Sequence, residues 1–289
     1  MNYYYEYKDD IFHFLLGSLL SAFTIFYFKS SSFANSFIFL TIISALLLLN
    51  EIPSFKKLGH LVHSALYMLC LISYLIYVIP VLFGKSGIIY FFLSSTLAIC
   101  LTLLKTYLFK LKSLDNQEII KEFILPQGLI LILFIGLYLC KIIPPVPLII
   151  KKIGIYHNVE KTADNYITYS NKPWYNFWSN GDQNYKYRNN DKVYVFTKIF
   201  APSGFDGTVY IHWLKDTNDG WQTSDRIPLN ITGGRRGGFR GFAYKSNYTT
   251  GDWQVRIETQ SGLEIGRINL EIIQDNSDSE RKFKKVVQK

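Results

Sequence analysis

The distribution of apolar residues constrains this chain more than any other feature. Five stretches in its first half, 11–28, 33–49, 61–83, 87–104 and about 123–143, are nearly free of charge. Each is long enough for a bilayer, which a helix crosses with about 20 apolar residues. Charge is segregated to match. Residues 1–150 carry ten Lys and seven acids, residues 151–289 carry twenty-one Lys and Arg and fifteen acids, and all eight Arg follow position 187. Only 18% of the 289 residues are charged, against about a quarter in soluble domains. A uniform soluble domain, a disordered chain, a collagen-like chain and a disulfide scaffold are excluded. What remains is an α-helical transmembrane module of about five spans followed by a water-soluble part.

The leader MNYYYEYKDD is acidic and no small-residue cleavage site follows, so the first run reads as a span rather than a signal peptide. Only residues 29–32 separate the first two runs, which implies a tight antiparallel hairpin. Tyr3, Tyr4, Tyr5, Tyr7, Tyr27 and Tyr107 fall near span ends, where amphipathic rings favour the interface. With five spans, Lys8, Lys56, Lys57, Lys105, Lys110, Lys112 and Lys121 share one side, and only Lys29 and Lys85 the other. That bias puts the N-terminus in the cytoplasm and the C-terminal part outside it. Lys141 precedes IIPPVPLII (142–150), whose prolines break a helix. The stretch reads as an extended interfacial linker; a crossing there would flip the parity.

Few polar groups interrupt the spans. His13, His63 and Lys105 are the ionisable candidates. His60 and His63 share a helix face near Glu51, yet a metal site needs a third ligand, and they read as interfacial residues. Lys105 reads as snorkelling. Cys70, Cys100 and Cys140 sit in apolar runs, where a thiol acts as a small hydrophobe. No metal and no cofactor is expected, and paired broken helices of the transporter kind are missing.

From about Lys192 the texture changes to short alternating runs punctuated by Gly, Asn and Asp, with strands expected at 193–200, 208–215, 221–229, 239–245, 253–259 and 263–273. This spacing predicts an all-β C-terminal domain, an antiparallel sandwich of immunoglobulin-like kind. The organisation is then a transmembrane module (1–143), a proline-containing interfacial linker and extension (144–191), the sandwich (192–274) and a basic tail (275–289). In the last hairpin, a two-residue turn at Ser261 and Gly262 sets Trp253 opposite Leu270, Val255 opposite Ile268 and Ile257 opposite Gly266 on one apolar face. On the other face Gln254 meets Asn269, and Arg256 meets Arg267. Opposed like charges are destabilising. Either Glu258 and Glu271 neutralise them or an anionic ligand does.

The run Gly233–Gly241, GGRRGGFRG, supplies glycines that allow positive φ and three guanidinium groups, from Arg235, Arg236 and Arg240, suited to phosphate, carboxylate or sulfate. It lacks the order of a phosphate-cradling nucleotide loop. The alternative is a strand connection whose arginines are solvated or paired with Asp225 and Asp252. Trp174, Trp178, Trp213, Trp221 and Trp253 offer either a sugar-stacking platform or core, with Trp213 and Trp253 reading as core. The residues show no GxSxG, HExxH or CxxC motif; His157 and His212 are the acid/base candidates should the protein be an enzyme. The basic end RKFKKVVQK fits lipid headgroups or an anionic polymer better than nucleic acid outside the cytoplasm.

Taken in order, IPPVPL (143–148), GIYHNVE (154–160), VYVFTKIFAPSG (193–204), HW (212–213), RIPLNITGGRRGGFRG (226–241) and GDWQVRIETQSGLEIGRI (251–268) resemble an uncharacterised bacterial domain-of-unknown-function family. In that family a C-terminal β-domain carrying PPVPL, GIYH, GGRxGGxRG and GxxIGR motifs follows a multi-pass membrane module. The resemblance implies a bacterial membrane protein and supplies no activity. Arg240 and Arg267 match its pattern; where an Arg often follows the Trp, this chain has Gln254.

The expectation is a multi-pass inner-membrane protein whose extracytoplasmic β-sandwich binds an anionic or glycan envelope component, a lipid headgroup or a protein partner through Arg235, Arg236, Arg240 and Arg267. A membrane-interface enzyme acting on lipid-linked or cell-wall substrates, and a sensory subunit, are the alternatives. Reporter fusions after Lys57, Lys85, Lys112 and Lys289 should alternate, with Lys57 and Lys112 inside and Lys85 and Lys289 outside; a cytoplasmic signal at Lys289 eliminates an envelope ligand.

Overall fold

The computed structural model describes residues 3–52, 60–110, 116–163, 165–172, 179–235 and 237–288. Lys56, Lys57, Lys112, Trp174, Trp178 and Arg236 lie outside them. The chain forms two compact units, Met1–Pro147 and Leu148–Lys289.

The first unit is helical. Its elements are α1 (Tyr3–Ser30), α2 (Phe33–Glu51), α3 (His60–Phe83), α4 (Ile88–Lys110), the short α5 (Asn116–Ile119) and α6 (Leu125–Leu139), with a π-helical turn, Ile120–Ile124, ahead of α6. That turn precedes Pro126, which has no N–H to donate. Among the described residues, four helical stretches are long and apolar enough to cross a membrane: Asp10–Ser30, His60–Phe83, Ile88–Leu108 and Ile120–Leu139. The second expected span differs, because the apolar helix Asn35–Asn50 is shorter.

The unit is apolar outside, and its apolar interior also holds buried polar side chains. Phe14, Leu48, Leu82, Ile89 and Ile132 are exposed, whereas His13, Asn50, Ser64, Ser73, Ser94, Ser95 and Gln127 are buried. A water-soluble bundle sorts its residues the other way. Interhelical hydrogen bonds and small residues hold helices together where hydrophobic driving force is missing. Ser94 Oγ donates to the Leu75 carbonyl at 3.1 Å. His13 Nδ1 meets Asn50 Oδ1 at 2.9 Å, and His13 Nε2 meets His63 Nε2 at 2.6 Å. His63 therefore links to α1 while its ring also meets that of His60 edge-on at 6.4 Å; the His60 ring faces Phe123 as well. Lys105 Nζ lies 3.8 Å from the centre of the Tyr67 ring.

After Leu139 no helix continues through 142–148, and the first strand begins at Ile149. The second unit comprises β1 (Ile149–Tyr156), β2 (Asn158–Lys161), β3 (Tyr166–Ser170), β4 (Asn184–Tyr187), β5 (Val193–Phe200), β6 (Asp206–Thr217), β7 (Gly220–Thr232), β8 (Phe239–Lys245), β9 (Gly251–Thr259), β10 (Glu264–Gln274) and β11 (Lys284–Gln288). A five-stranded sheet, β4-β10-β9-β6-β7, packs on a three-stranded one, β1-β5-β8. Val195 and Ile199 of β5 meet Ile211, Trp213, Val255 and Ile257 in the core between them. Phe196, on the opposite face of β5, joins Tyr156 and Val159 in a second cluster. Burial on both faces explains why VYVFTKIF reads as a nearly continuous apolar run. A third sheet, β11-β3-β2, completes the unit.

One expectation needs correction: the sandwich is not wholly antiparallel, since β4 runs parallel to β10. The extension within 144–191 contributes strands of its own, with β1 paired to β5 along its length. Part of the basic tail is a strand as well, β11 pairing antiparallel with β3. Lysines mask the alternation of β1 and β11 at the sequence level. Gln288 secures β11, accepting from Lys152 Nζ at 2.8 Å and donating to Thr168 Oγ1 at 2.9 Å.

The β9–β10 hairpin has the expected pairs, Trp253 with Leu270, Val255 with Ile268, Ile257 with Gly266, Gln254 with Asn269 and Arg256 with Arg267. It reaches them by another route. The loop is Gln260–Gly262, closed by Thr259 N–H donating to the Leu263 carbonyl, with Gly262 at φ 79°. A bulge between Glu264 and Gly266 restores the register. Gln288→Ala should lower the stability of the β-unit by about 1–3 kcal/mol, the usual range for stranding buried polar partners, read as a lower thermal midpoint of the full chain.

Candidate functional site

Strand alternation puts Val209, Ile211 and Trp213 of β6 in the core and turns His212 to the opposite face. The register then builds a row. Arg267 lies opposite Arg256, Arg256 opposite His212, and His212 opposite Arg226. Four side chains that are cationic when His212 is protonated thus cross β10, β9, β6 and β7 over about 14 Å, at the usual strand spacing of about 4.8 Å.

Two carboxylates serve this row. Arg267 donates through Nε to Glu264 at 2.6 Å, with its Nη2 on the second oxygen, and Arg256 Nε lies 3.9 Å from the same carboxylate. Arg256 Nε donates to Gln254 Oε1. His212 Nδ1 meets Glu258 at 3.0 Å, and its Nε2 meets Thr223 Oγ1 at 2.9 Å. Arg226 is exposed; its guanidinium sits 4.1 Å above the Tyr210 ring and has no carboxylate partner among the described residues. Glu264, rather than the expected Glu258 and Glu271, neutralises the arginine pair. Glu264 flanks the bulge, and Glu258 is drawn to His212.

The glycine-rich run serves the backbone. The Gly233 N–H donates to Phe205, Gly234 to Ala201 and Gly238 to Arg235, so these amides are spent internally. A Cβ at Gly233 would stand 1.8 Å from the Pro202 carbonyl oxygen. Arg235 is exposed, and Arg236 lies outside the described residues. Arg240, on β8, donates to the Gln288 carbonyl at 3.1 Å and lies 5.7 Å from the Tyr166 ring centre. Arg240 and Arg267 therefore stand on different sheets. Asp225 is taken by Lys245.

A second feature is a cleft of about 870 Å³ that includes His157, Asn171, Asp182, Trp221, Asp252 and Glu271 in its lining. Gly181 positions Asp182 there. At φ 83°, with a Cβ position only 1.9 Å from the Ile155 carbonyl oxygen, it allows an approach that no side chain permits. The Asp182 N–H donates to that carbonyl at 2.8 Å, and its carboxylate accepts the Asn171 N–H at 2.8 Å. His157 Nε2 stands 3.6 Å from Asp182, with both side chains over nine-tenths buried. The ring is stacked on Tyr185 at 4.2 Å and flanked by Phe283, while its buried Nδ1 lacks a partner. Sequence reading flagged His157 but not Asp182, because the contact depends on this long-range approach. Among the described residues, no group of three or more His, Cys, Asp or Glu side chains could hold a metal ion.

Residues 206–272, from β6 into β10, match a family described as a protein of unknown function (DUF2914). An uncharacterised family of that kind fits the resemblance read from the sequence. The whole arginine–histidine row lies inside the match; His157 and Asp182 lie outside it. Among solved structures the chain is similar to the crystal structure of an immunoglobulin-like protein from Pseudomonas aeruginosa, at 10% identity and a TM-score of 0.24, over 42% of this chain and 97% of that one. A search of curated proteins finds no match.

The His157–Asp182 pair has a pH signature. Burial, reinforced by Arg281, holds His157 down at about 4. Burial pushes Asp182 up to about 6, against the pull of the Asn171 N–H and Lys172. A carboxyl whose folded pKa is raised loses stability for the fold as pH climbs from about 4 to about 6, while an imidazole held below its usual value of about 6.5 adds stability over that rise. The slopes oppose each other. In His157→Gln the unfolding free energy should fall between pH 4 and 6, and in Asp182→Asn it should rise, each by about 1.4 kcal/mol per unit at most. Chemical denaturation across that pH range measures both.

Proposed function

We propose that this protein is a bacterial inner-membrane anchor displaying a binding module, and that the β-unit holds an anionic envelope polymer along the Arg267–Arg256–His212–Arg226 row. In this reading the N-terminus is cytoplasmic, the β-unit is extracytoplasmic, and α2 completes five crossings. A helix of 19 residues rises about 28 Å, close to the hydrocarbon thickness of about 30 Å. The outward apolar surface of the helical unit supports membrane residence.

One observation carries the binding role: three guanidinium groups and an imidazole stand in register across four strands, with only Glu258 and Glu264 among the described residues to offset them. Opposed like charges cost up to about 1 kcal/mol per pair, and an anionic ligand reverses that cost. Planar guanidiniums suit phosphate and carboxylate groups, which they grip with paired N–H donors. Glu258 on Nδ1 and Thr223 on Nε2 hold the His212 ring in a fixed orientation within the row. Arg267 remains from the residues read in the sequence; Arg226 and Arg256 replace Arg235, Arg236 and Arg240 beside it.

The test uses the full chain in nanodiscs with inorganic polyphosphate and polygalacturonate as anionic probes and dextran as the neutral control. Arg226→Gln should weaken binding of the anionic probes by about tenfold or more, as expected for losing a hydrogen bond to a charged group, and reduce its salt dependence. Arg235→Gln should leave it unchanged. Equal affinity for dextran, or indifference to Arg226→Gln, would remove the proposal.

A further inference from the structure

The cleft has chemistry opposite to that of the arginine row. The protein carries a net charge of +9, yet the cleft wall presents the carboxylates of Asp216, Asp252 and Glu271. None of the three has an ion-pair partner among the described residues. Two lysines share the lining. Lys172 Nζ donates to the Ser179 carbonyl and places its charge beside Asp182; it and Lys186 are outnumbered by the carboxyl groups of the lining. An anionic polymer would be repelled here.

The remaining lining is that of a surface for polyhydroxylated molecules. Trp221, 40% exposed at the start of β7, offers a flat apolar ring beside polar groups. Asn171 and Asn184 bring side-chain amides whose donors and acceptors match ring hydroxyls. Behind them the His157 side chain is 6% exposed, and its Nδ1 is left without a partner. A cleft of about 870 Å³ lies within the about 300–1,000 Å³ of ligand sites, where a few placed polar groups fix orientation around an apolar contact.

We propose that this cleft is a saccharide site selecting neutral or amine-bearing sugars, with Trp221 stacking on a sugar ring and Asp216, Asp252 and Glu271 receiving hydroxyl or ammonium protons. It is separate in residues and in charge from the arginine row, and it stands or falls independently of that row.

Binding is measured on the full chain in nanodiscs, which avoid sugar-headed detergents. The probes are N-acetylglucosamine oligomers, glucosamine oligomers, oligogalacturonate and a lysine oligomer of matched length. Both glucosamine-type probes should bind. Trp221→Ala should weaken each by about tenfold, the scale of a buried aromatic anchor, without moving the thermal midpoint. Asp252→Asn should weaken the amine-bearing oligomer more than the acetylated one, and Arg226→Gln should change neither. The proposal is overturned if neither sugar binds at millimolar concentration, if Trp221→Ala leaves both affinities intact, or if oligogalacturonate or the lysine oligomer outcompetes both sugars. The lysine result would make the cleft a site for a basic peptide instead.

Discussion

Everything on the outer face of the five-stranded sheet depends on how firmly its inner face is held. Trp213, Ile211, Val255 and Ile257 are fully buried, and side chains alternate along a strand with period two. Burying these residues obliges His212, Arg256 and Arg267 to point outward. Removing Trp213 to Ala would cost about 3–5 kcal/mol, more than the repulsion among the outward cations. The apolar core therefore keeps in place a row of charges that would not assemble by its own energetics. Along β9 and β10 the outer face then grades from acids at Asp252 and Glu271, through amides at Gln254 and Asn269, to the arginines.

The helical unit obeys the complementary rule. Some of its buried polar side chains find partners inside, as His13 does with Asn50 and His63. These links join α1, α2 and α3 through groups that would each be costly if left alone. Ser94 does similar work between α3 and α4. The outward Leu, Ile and Phe need nothing from one another, and they are the residues that make the runs visible in the sequence.

What could be read from the residues follows from the range of each interaction. The β9–β10 register was legible because turn and alternation are local, and its arginine pair came with it. Arg226 and His212 were not linked to that pair, since the order β10-β9-β6-β7 is a non-local choice among strands of similar texture. β1 and β11 were missed because Lys151, Lys152, Lys284 and Lys285 interrupt the apolar pattern. Arg235 and Arg240 stood out for density of charge in the sequence, yet in the fold one is simply exposed and the other is tied to Gln288.

Gly266 has an influence out of proportion to its size. Sliding β10 by two places past β9 would keep every greasy residue inward, so hydrophobicity by itself tolerates that misalignment. The notch at Gly266 does not: the Ile150 side chain fills it, its terminal methyl 2.8 Å from an ideal Cβ there, and although that methyl could swing aside for a single carbon, a two-place shift would bring the whole side chain of Glu264 or Ile268 into the space. One missing side chain thus proofreads the hairpin and, through it, decides which charges end up as neighbours.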